Sequence, residues 1–243
     1  MKQKINKEQF LELYKQNLSD RTIAKILNVG KTSVCNYRNT LGLPIYNRYK
    51  EITLSSFSKE VLIGTLLGDG YLSINKSKTS ARGHIAHSTK QREYFMYKYN
   101  ILKDIISDTS ENSLYHKKTS KTYYELRMSF ISSPILLEIY NKLYTPKKVI
   151  TKEYLELFSR ISLAFMYMDD GYKTKSSYML STNGFNTNSL IVFKDYLKDK
   201  FDLEFSILKR NIIYLKKKDV FKFESLIKEF FIKEMFYKLH RPE

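Results

Sequence analysis

The chain has 243 residues, of which 42% are hydrophobic, and this length and composition suit one large globular domain with a small additional one. Its formal net charge of +17 favours a polyanionic partner, of which nucleic acid is the commonest. The basic residues are spread along the whole chain and form no single amphipathic stripe, which argues against a membrane surface as the partner.

The cysteine content and the apolar runs exclude further classes. The single cysteine, Cys35, excludes an intramolecular disulfide and a cysteine-based zinc site. No apolar run could span a bilayer, and the N-terminal sequence MKQKINKEQF lacks the apolar core of a signal peptide, so we expect an intracellular protein. The histidines lack metal-ligand spacing and are expected to be surface or phosphate-contacting groups. They are His84, His87, His116 and His240.

The sequence of residues 1–45 predicts a small all-α domain of three short helices. Ser19 or Asp20 is expected to cap the second helix, and a turn at Gly30 precedes the third. Small Ala24 allows close packing, and the spacing is typical of a helix-turn-helix that binds DNA. A purely structural three-helix cap is the alternative. The third helix is expected to turn the following DNA-contacting residues to solvent: Lys31, Thr32, Ser33, Asn36 and Arg38.

The remainder of the chain reads as a repeat that follows a polar linker over residues 46–57. From Ser58, the expected cap of the next helix, the order helix, strand, strand, helix, strand, strand, helix occurs twice. A period of about a hundred residues is too long for a solenoid, so it indicates two fused copies of one α+β domain. We assign residues 58–150 to the first repeat and residues 151–243 to the second.

Two apolar helices with acidic ends are the most informative features of these repeats. LIGTLLGDG over residues 62–70 aligns with LAFMYMDDG over residues 163–171, and the alignment matches Asp69 with Asp170. A carboxylate in the last turn of a helix is disfavoured by the helix dipole, and two such carboxylates brought together repel. Both unfavourable interactions are tolerated when a divalent cation binds between the two carboxylates.

Glycines on the first of these helices indicate close packing. Gly64 and Gly68 lie four residues apart on one face, where the absence of side chains lets another backbone approach. The second helix carries Phe165 and Asp169 at the matching positions, so we expect small residues to pack against large ones.

The paired helices and the αββαββα order behind them resemble the LAGLIDADG homing endonuclease family, of the monomeric two-repeat type. The likeness covers about residues 58–240, and its most similar stretches are KKVI, SLAFMYMDDG and MFYKL. The resemblance implies a pseudo-twofold molecule in which the two motif helices pack at the centre. Their sheets would form a saddle over double-stranded DNA.

The same resemblance implies which residues carry the chemistry. The carboxylates of Asp69 and Asp170 would bind Mg²⁺, for which Mn²⁺ is expected to substitute, near one scissile phosphate of each strand. Gly68 and Asp169, which precede these acids, complete the expected metal site, although Asp169 is not the equivalent of Asp69. A basic residue beside each acid is expected as well. Lys238 is one, and Lys148 is the other, with Lys147 as the alternative after a one-residue shift.

These residue types suit phosphodiester hydrolysis. The reaction needs an activated water, neutralisation of charge on the phosphorane-like transition state, and help for the departing 3′ oxygen. Two aspartates that share divalent ions supply the first and the last requirement, and a lysine beside them stabilises charge or orients water. No covalent nucleophile is needed, and the sequence offers no recognisable set of Ser, His and Asp.

The strands are expected to read the DNA. Alternation points Ile85 and Thr89 of GHIAHSTK inward, together with the apolar residues of TYYELRMSF. It turns outward His84, Ala86, Ser88 and Lys90 in the first of these stretches and Tyr123, Glu125, Arg127 and Ser129 in the second. Arg127 suits guanine and Asn183 suits adenine, while the basic hairpin loops suit phosphates. The expected contacts are Lys76, Lys78, Arg82, His84, Ser88, Lys90, Lys117, Lys118, Lys121, Arg127, Lys173, Lys175, Ser181, Asn183, Lys209 and Arg210.

The resemblance therefore implies an intracellular enzyme that makes staggered breaks in both strands of a long asymmetric DNA site and so copies its own gene. Two alternatives stay open. An RNA maturase that helps a host intron to splice would use the same fold and charge, with intron RNA as an additional partner. In a non-cleaving transcriptional regulator the motif acids tend to be lost and the helix-turn-helix lies C-terminal, whereas here both acids remain and the order is reversed.

Overall fold

The computed structural model divides into two compact units, unit 1 (Met1–Glu51) and unit 2 (Ile52–Glu243). The described residues are 5–16, 18–43, 54–117 and 119–240. Most of the expected linker, residues 46–53, and the expected DNA contact Lys118 lie outside them. Among the described residues, no helix combines the length and apolar character needed to cross a bilayer.

The described part of unit 1 contains three short helices around a core of its own. They are α1 (Lys7–Lys15), α2 (Asp20–Ile26) and α3 (Lys31–Thr40). Of the two expected caps of α2, the structure uses Ser19, whose side chain accepts a hydrogen bond from the backbone N–H of Thr22. Asn28 adopts a positive φ of 51° in the turn before α3. The core residues of unit 1 are Phe10, Ile23, Ala24 and Val34.

The expectation that Arg38 faces solvent is wrong. Arg38 follows Val34 by four residues and therefore lies on the same, buried face of α3, where it is 2% exposed. Its Nε lies 3.1 Å from Asp20 Oδ1, and its Nη1 donates to the carbonyl oxygen of Leu43 at 2.8 Å. Arg38 therefore ties α3 to the start of α2 and is not available to DNA.

The first half of unit 2 is built around one antiparallel sheet. Its elements are α4 (Ser56–Leu67), β1 (Gly70–Ile74), β2 (Ala81–Ser88), α5 (Arg92–Leu102), β3 (Ile106–His116), β4 (Lys121–Phe130) and α6 (Pro134–Leu143). The strand order across the sheet is β1-β2-β4-β3, and every pairing is antiparallel.

The second half of unit 2 repeats this order. Its elements are α7 (Lys152–Leu155), α8 (Arg160–Asp170), β5 (Gly171–Lys173), β6 (Tyr178–Leu180), α9 (Thr187–Phe201), β7 (Phe205–Leu208), β8 (Ile212–Leu215) and α10 (Val220–Ile227). The strand order β5-β6-β8-β7 matches that of the first sheet. The predicted α+β class and the duplicated order are thus confirmed, with α7 as an unexpected short addition.

The first helix of unit 2 begins earlier than predicted. Its N-cap is Ser55, whose hydroxyl accepts a hydrogen bond from the backbone N–H of Ser58 at 3.0 Å. Ser58 is buried instead, and its hydroxyl donates to the carbonyl oxygen of Ile101 at 2.9 Å. The helix therefore includes the end of the predicted linker, and Ser58 joins α4 to α5 instead of capping α4.

Helices α4 and α8 form the centre of unit 2. Both are buried around most of their circumference, as expected for helices whose sequences are apolar on every side. A Cβ atom built on Gly64 would lie 2.1 Å from the backbone oxygen of Ser162, so only glycine allows this approach. The neighbour of Gly64 is thus Ser162 and not Phe165, which stacks on Tyr97 at 5.9 Å between ring centroids.

Candidate active site

The expected catalytic acids lie where the two central helices end. Gly68 is the C-cap of α4, and Asp69 follows it directly, while Asp170 is the last residue of α8. β1 and β5 begin at the next residues, Gly70 and Gly171. A Cβ atom on Gly68 would lie 2.5 Å from the Asp169 Cβ, so the two helix ends also approach closely here.

Asp69 presents a partly exposed carboxylate, with 35% of its side chain accessible. Its Oδ2 lies 3.2 Å from His87 Nδ1. Burial pushes the pKa of Asp69 upward, but the adjacent His87 side chain and the positive charges of Lys98 and Lys238 outweigh burial and lower it. Asp69 is therefore a carboxylate at neutral pH and can bind a cation.

Asp170 has a different electrostatic environment. Burial, together with the negative charges of Asp69 and Asp169, raises its pKa to about 7 against the opposing effect of Lys148 and Lys238. Asp170 thus feels the charge of Asp69 across the two halves, which is the repulsion that the sequence predicts. A divalent cation would relieve this repulsion, so the donor set fits such an ion.

A lysine stands at the end of each central helix. Lys148 Nζ donates to the carbonyl oxygens of Gly70 at 2.7 Å and Gly68 at 3.4 Å. Lys238 Nζ donates to the carbonyl oxygens of Met168 at 2.5 Å and Asp169 at 3.0 Å. The carbonyls of Gly68, Met168 and Asp169 lie at the helix ends, so both ammonium groups satisfy carbonyls that the helices leave unpaired and complement the negative end of the helix dipole.

The lysines also interact with the acids. Burial lowers the pKa of Lys148 and of Lys238, while the charges of Asp69 and Asp170 work in the opposite direction. Lys147 is exposed, so the structure places Lys148, and not its neighbour, beside the carboxylates. Two acids and two lysines expected from the sequence are therefore brought together.

Asp169 is bound into the protein interior. Its side chain is inaccessible to solvent, and its Oδ1 accepts hydrogen bonds from Lys98 Nζ at 2.5 Å and from the Tyr94 hydroxyl at 2.8 Å. Its Oδ2 lies 3.4 Å from the backbone nitrogen of Asp69. These contacts hold the end of α8 next to the end of α4, between Asp69 and Asp170.

Three ligand-type groups lie close together at this point. Atoms of Asp69, His87 and Asp169 fall within 4.8 Å of one another. A cation centred among all three would meet the ammonium of Lys98, which already occupies the Asp169 carboxylate. In addition, the carbonyl oxygens of Gly68 and Asp169 already accept hydrogen bonds from Lys148 and Lys238. The carboxylates of Asp69 and Asp170 are therefore the donors best suited to a cation.

His87 is the residue of this site that sequence reasoning misplaced. It is 3% exposed and packs beside Tyr94, so its interpretation as a surface group is wrong. The signal was present in the strand alternation, because His87 lies two residues after buried Ile85 and therefore points to the same side of β2.

The outward face of the first sheet carries the expected DNA contacts. In β4, Leu126, Met128 and Phe130 are buried, which confirms the alternation. Arg127 lies on the other face and pairs with Glu125 at 2.9 Å. Exposed or half-buried positions in this half are Lys76, Lys78, Arg82, His84, Ser88, Lys90, Lys117, Lys121 and Arg127.

The second sheet is shorter than expected, so the contact residues predicted on its second strand lie beyond that strand. β6 ends at Leu180, and Ser181 and Asn183 follow it. The Asn183 side chain already donates to the carbonyl oxygen of Arg210 at 2.8 Å, which leaves its amide only partly available to a base. The exposed or half-buried positions of this half are Lys173, Lys175, Ser181, Asn183, Lys209 and Arg210.

Comparison with known proteins agrees with this architecture. The model of the LAGLIDADG DNA endonuclease family matches residues 59–223. The chain is 30% identical over 229 residues to the probable intron-encoded endonuclease 1 of Wickerhamomyces canadensis, covering 86% of this chain and 97% of that protein. It is 23% identical over 210 residues to the DNA endonuclease I-ChuI of Chlamydomonas applanata, covering 77% and 96%.

A solved structure extends the likeness to three dimensions. The homing endonuclease I-WcaI bound to its DNA recognition sequence has a TM-score of 0.71 and 26% identity to this chain, and the match covers 83% of this chain and 96% of that one. The family model spans more than half of the residues, and the fold repeats as the family requires. The chain therefore belongs to the LAGLIDADG DNA endonuclease family and is a site-specific homing endonuclease.

Proposed function

We propose that this endonuclease cuts both strands of a long asymmetric DNA site in a reaction that requires Mg²⁺, and that it leaves staggered ends. The observation that carries the proposal is the convergence of Asp69, Asp170, Lys148 and Lys238 at the adjoining ends of the two central helices. One acid and one lysine come from each half, which suits one set for each DNA strand.

The residues divide the chemistry between them. Asp69 and Asp170 would hold the metal, which when bound supplies an activated water and stabilises the departing 3′ oxygen. Lys148 and Lys238 place fixed positive charge where the phosphate gains negative charge in the transition state. No residue has to form a covalent intermediate, because water attacks the phosphorus directly.

The exposed face of α3 supports a second proposal. Lys31, Thr32, Ser33 and Asn36 are all exposed, and side chains of these types contact phosphates and base edges. We propose that unit 1 binds DNA beside the cleavage site, and that it either adds affinity or represses transcription. We also propose that the protein is a monomer, since both halves lie in one chain, and that it acts inside the cell.

The decisive experiment uses DNA that carries the empty insertion site of the protein's own gene. With Mg²⁺ we expect one cut in each strand, with Mn²⁺ as an effective substitute, and with EDTA we expect none. Binding without cutting under all metal conditions would contradict the proposal and favour a transcriptional regulator. Splicing of the host intron that depends on the protein would add a maturase activity, which is compatible with cutting.

A further inference from the structure

A buried lysine from the first half lies behind the active site. Lys98, on α5, is fully buried, and its Nζ donates to Asp169 Oδ1 at 2.5 Å. The same Nζ lies 3.2 Å from His87 Nε2 and 4.5 Å from the centre of the Tyr94 ring. Buried lysines are rare unless they are paired, and Asp169 supplies the pairing charge.

The lysine determines which nitrogen of His87 carries a proton. An ammonium group has three donors and no acceptor, so His87 Nε2 must accept the hydrogen bond from Lys98. In the neutral ring the proton then resides on Nδ1, because one ring nitrogen donates when the other accepts. A protonated Nδ1 cannot ligate a metal ion but can donate to a carboxylate.

The protonated nitrogen lies beside Asp69. His87 Nδ1 is buried and lies 3.2 Å from Asp69 Oδ2, close but imperfectly aligned, and no other acceptor in the described part of the chain reaches it. A side chain that is buried on all other sides has little freedom to turn away. The chain of contacts therefore runs from Asp169 through Lys98 and His87 to Asp69.

The second half of unit 2 has different residues at the matching positions. Gly70 pairs with Ile85, and Gly171 pairs with Leu180, so Ile85 and Leu180 correspond. At the same spacing, the counterparts of His87, Tyr94 and Lys98 are Thr182, Ser189 and Phe193, all buried. The hydroxyl of Thr182 donates to the carbonyl oxygen of Asn211 at 2.6 Å, so its hydrogen is used away from the acids.

We propose that His87, held by Lys98 and Asp169, is a positioning residue for Asp69 and that Asp170 has no matching partner among the residues that the structure describes. The inference rests on the proposed function of the two acids. Its consequence is that the halves of the site hold metal and phosphate with unequal precision, and the two DNA strands are cut at different rates. Groups that orient a metal ligand change metal affinity or activity by about 10- to 100-fold when they are removed.

Strand-resolved cleavage tests this proposal. In single-turnover reactions with differently labelled strands, we expect His87→Ala to change the ratio of the two rate constants by about 10-fold or more. His87→Asn keeps an N–H donor near the place of Nδ1, so it should restore much of the wild-type ratio. Thr182→Val alters the matching position of the other half and should leave the ratio within about twofold.

The possible outcomes separate the inference from the function on which it rests. Equal slowing of both strands by His87→Ala, or no slowing, would overturn the positioning role while the endonuclease stands. Failure of His87→Asn to restore the ratio would also overturn it, because the donor would then not be the active feature. A wild-type protein that cut neither strand would overturn the proposed function and this inference together.

The tautomer gives a readout that needs neither metal nor DNA. Long-range ¹⁵N–¹H spectra of the full chain distinguish imidazoles protonated at Nδ1 from those protonated at Nε2, and the His87→Asn spectrum identifies the signal of this residue. We expect His87 in the wild-type protein to be protonated at Nδ1. Protonation at Nε2 would mean that Lys98 does not donate to the ring, and the proposal would fall.

Discussion

Asp69 and Asp170 occupy matching positions in the two halves, yet their pKa values shift in opposite directions. Asp69 has a neighbouring donor in His87, whereas Asp170 is raised to a pKa of about 7 by burial and by the charges of Asp69 and Asp169. Without a cation, Asp170 is thus only partly ionised at neutral pH. Metal binding must displace its proton, so the metal affinity should rise as the pH rises through 7.

The first prediction concerns catalysis by Asp170→Asn. We expect this variant to lose double-strand cutting and to keep most of its DNA affinity, because the amide cannot replace an anionic metal ligand. Cleavage assays and binding titrations on the same DNA check this. Asp195→Asn, which changes an exposed acid on α9, is the matched control and should cut like the wild type. Unchanged cutting by Asp170→Asn would contradict the site assignment.

The second prediction concerns the stability of the same variant. The folded protein keeps a proton on Asp170 up to about pH 7, whereas the unfolded chain releases it near the ordinary value of 3.8, so this residue costs stability as the pH rises between them. Without metal at pH 8, Asp170→Asn should raise the free energy of unfolding by on the order of 1–2 kcal/mol after solvent screening. Denaturant titrations at pH 8 and pH 4 measure the gain, which should shrink at the lower pH.

The third prediction separates Lys148 from its neighbour. Lys148→Ala removes a charge beside the acids, so we expect the single-turnover cleavage rate to fall by about 100-fold. Lys147→Ala removes an exposed charge and should change the rate by no more than about twofold. A comparison of thermal unfolding shows whether each variant is folded, since Lys148 also donates to the carbonyl of Gly68 at the end of α4. Equal effects of the two substitutions would contradict the role of Lys148.

Part of the site could be predicted from single residues and part could not. The two acids and their lysines stand in motifs that the family resemblance identifies. Lys98 gave no sequence signal, because lysine is ordinarily exposed and its burial depends on a carboxylate from the other half of the chain. Arg38 was misplaced for the same reason: its partner Asp20 lies on another helix.

At the scale of helices and strands, only the elements with a clear apolar pattern could be predicted. The central helices and the strands with alternating apolar residues were expected, and the structure contains them. The first part of β3, ISDTSEN, carries almost no apolar signal and was not expected as strand. It is extended because it pairs with β4 along its whole length, and such pairing is not visible in the local sequence.

The fourth prediction tests the contact between the central helices. Gly64→Ala would put a methyl group within 2.1 Å of the Ser162 backbone, which cannot move without shifting α8. We expect the free energy of unfolding to fall by about 3 kcal/mol or more. Gly184→Ala, with open space around its added Cβ, is the matched control and should change stability by less than about 0.5 kcal/mol. Equal stability of the two variants would show that α4 and α8 are not this close.

At the scale of the whole molecule, the small unit can be removed as a test of its role. Deleting residues 1–45 should weaken DNA binding by about 10- to 100-fold, because several phosphate contacts are lost. The cleavage rate at saturating protein should change little, since the acids and lysines all lie in unit 2. Equal affinity combined with slower turnover would contradict this division of labour.

The two sheets differ in reach. Strands β3 and β4 contain 11 and 10 residues, while β7 and β8 contain 4 each. At about 3.4 Å per residue the longer pair extends roughly 35 Å, and the shorter pair roughly 13 Å. Base pairs are stacked at about the same interval along a duplex. The longer strands can therefore contact many more base pairs on one side of the break than the shorter strands can on the other. Base substitutions that accumulate in the target site of a host genome would then have unequal effects. Substitutions opposite the short strands would leave recognition intact, whereas those opposite the long strands would abolish it.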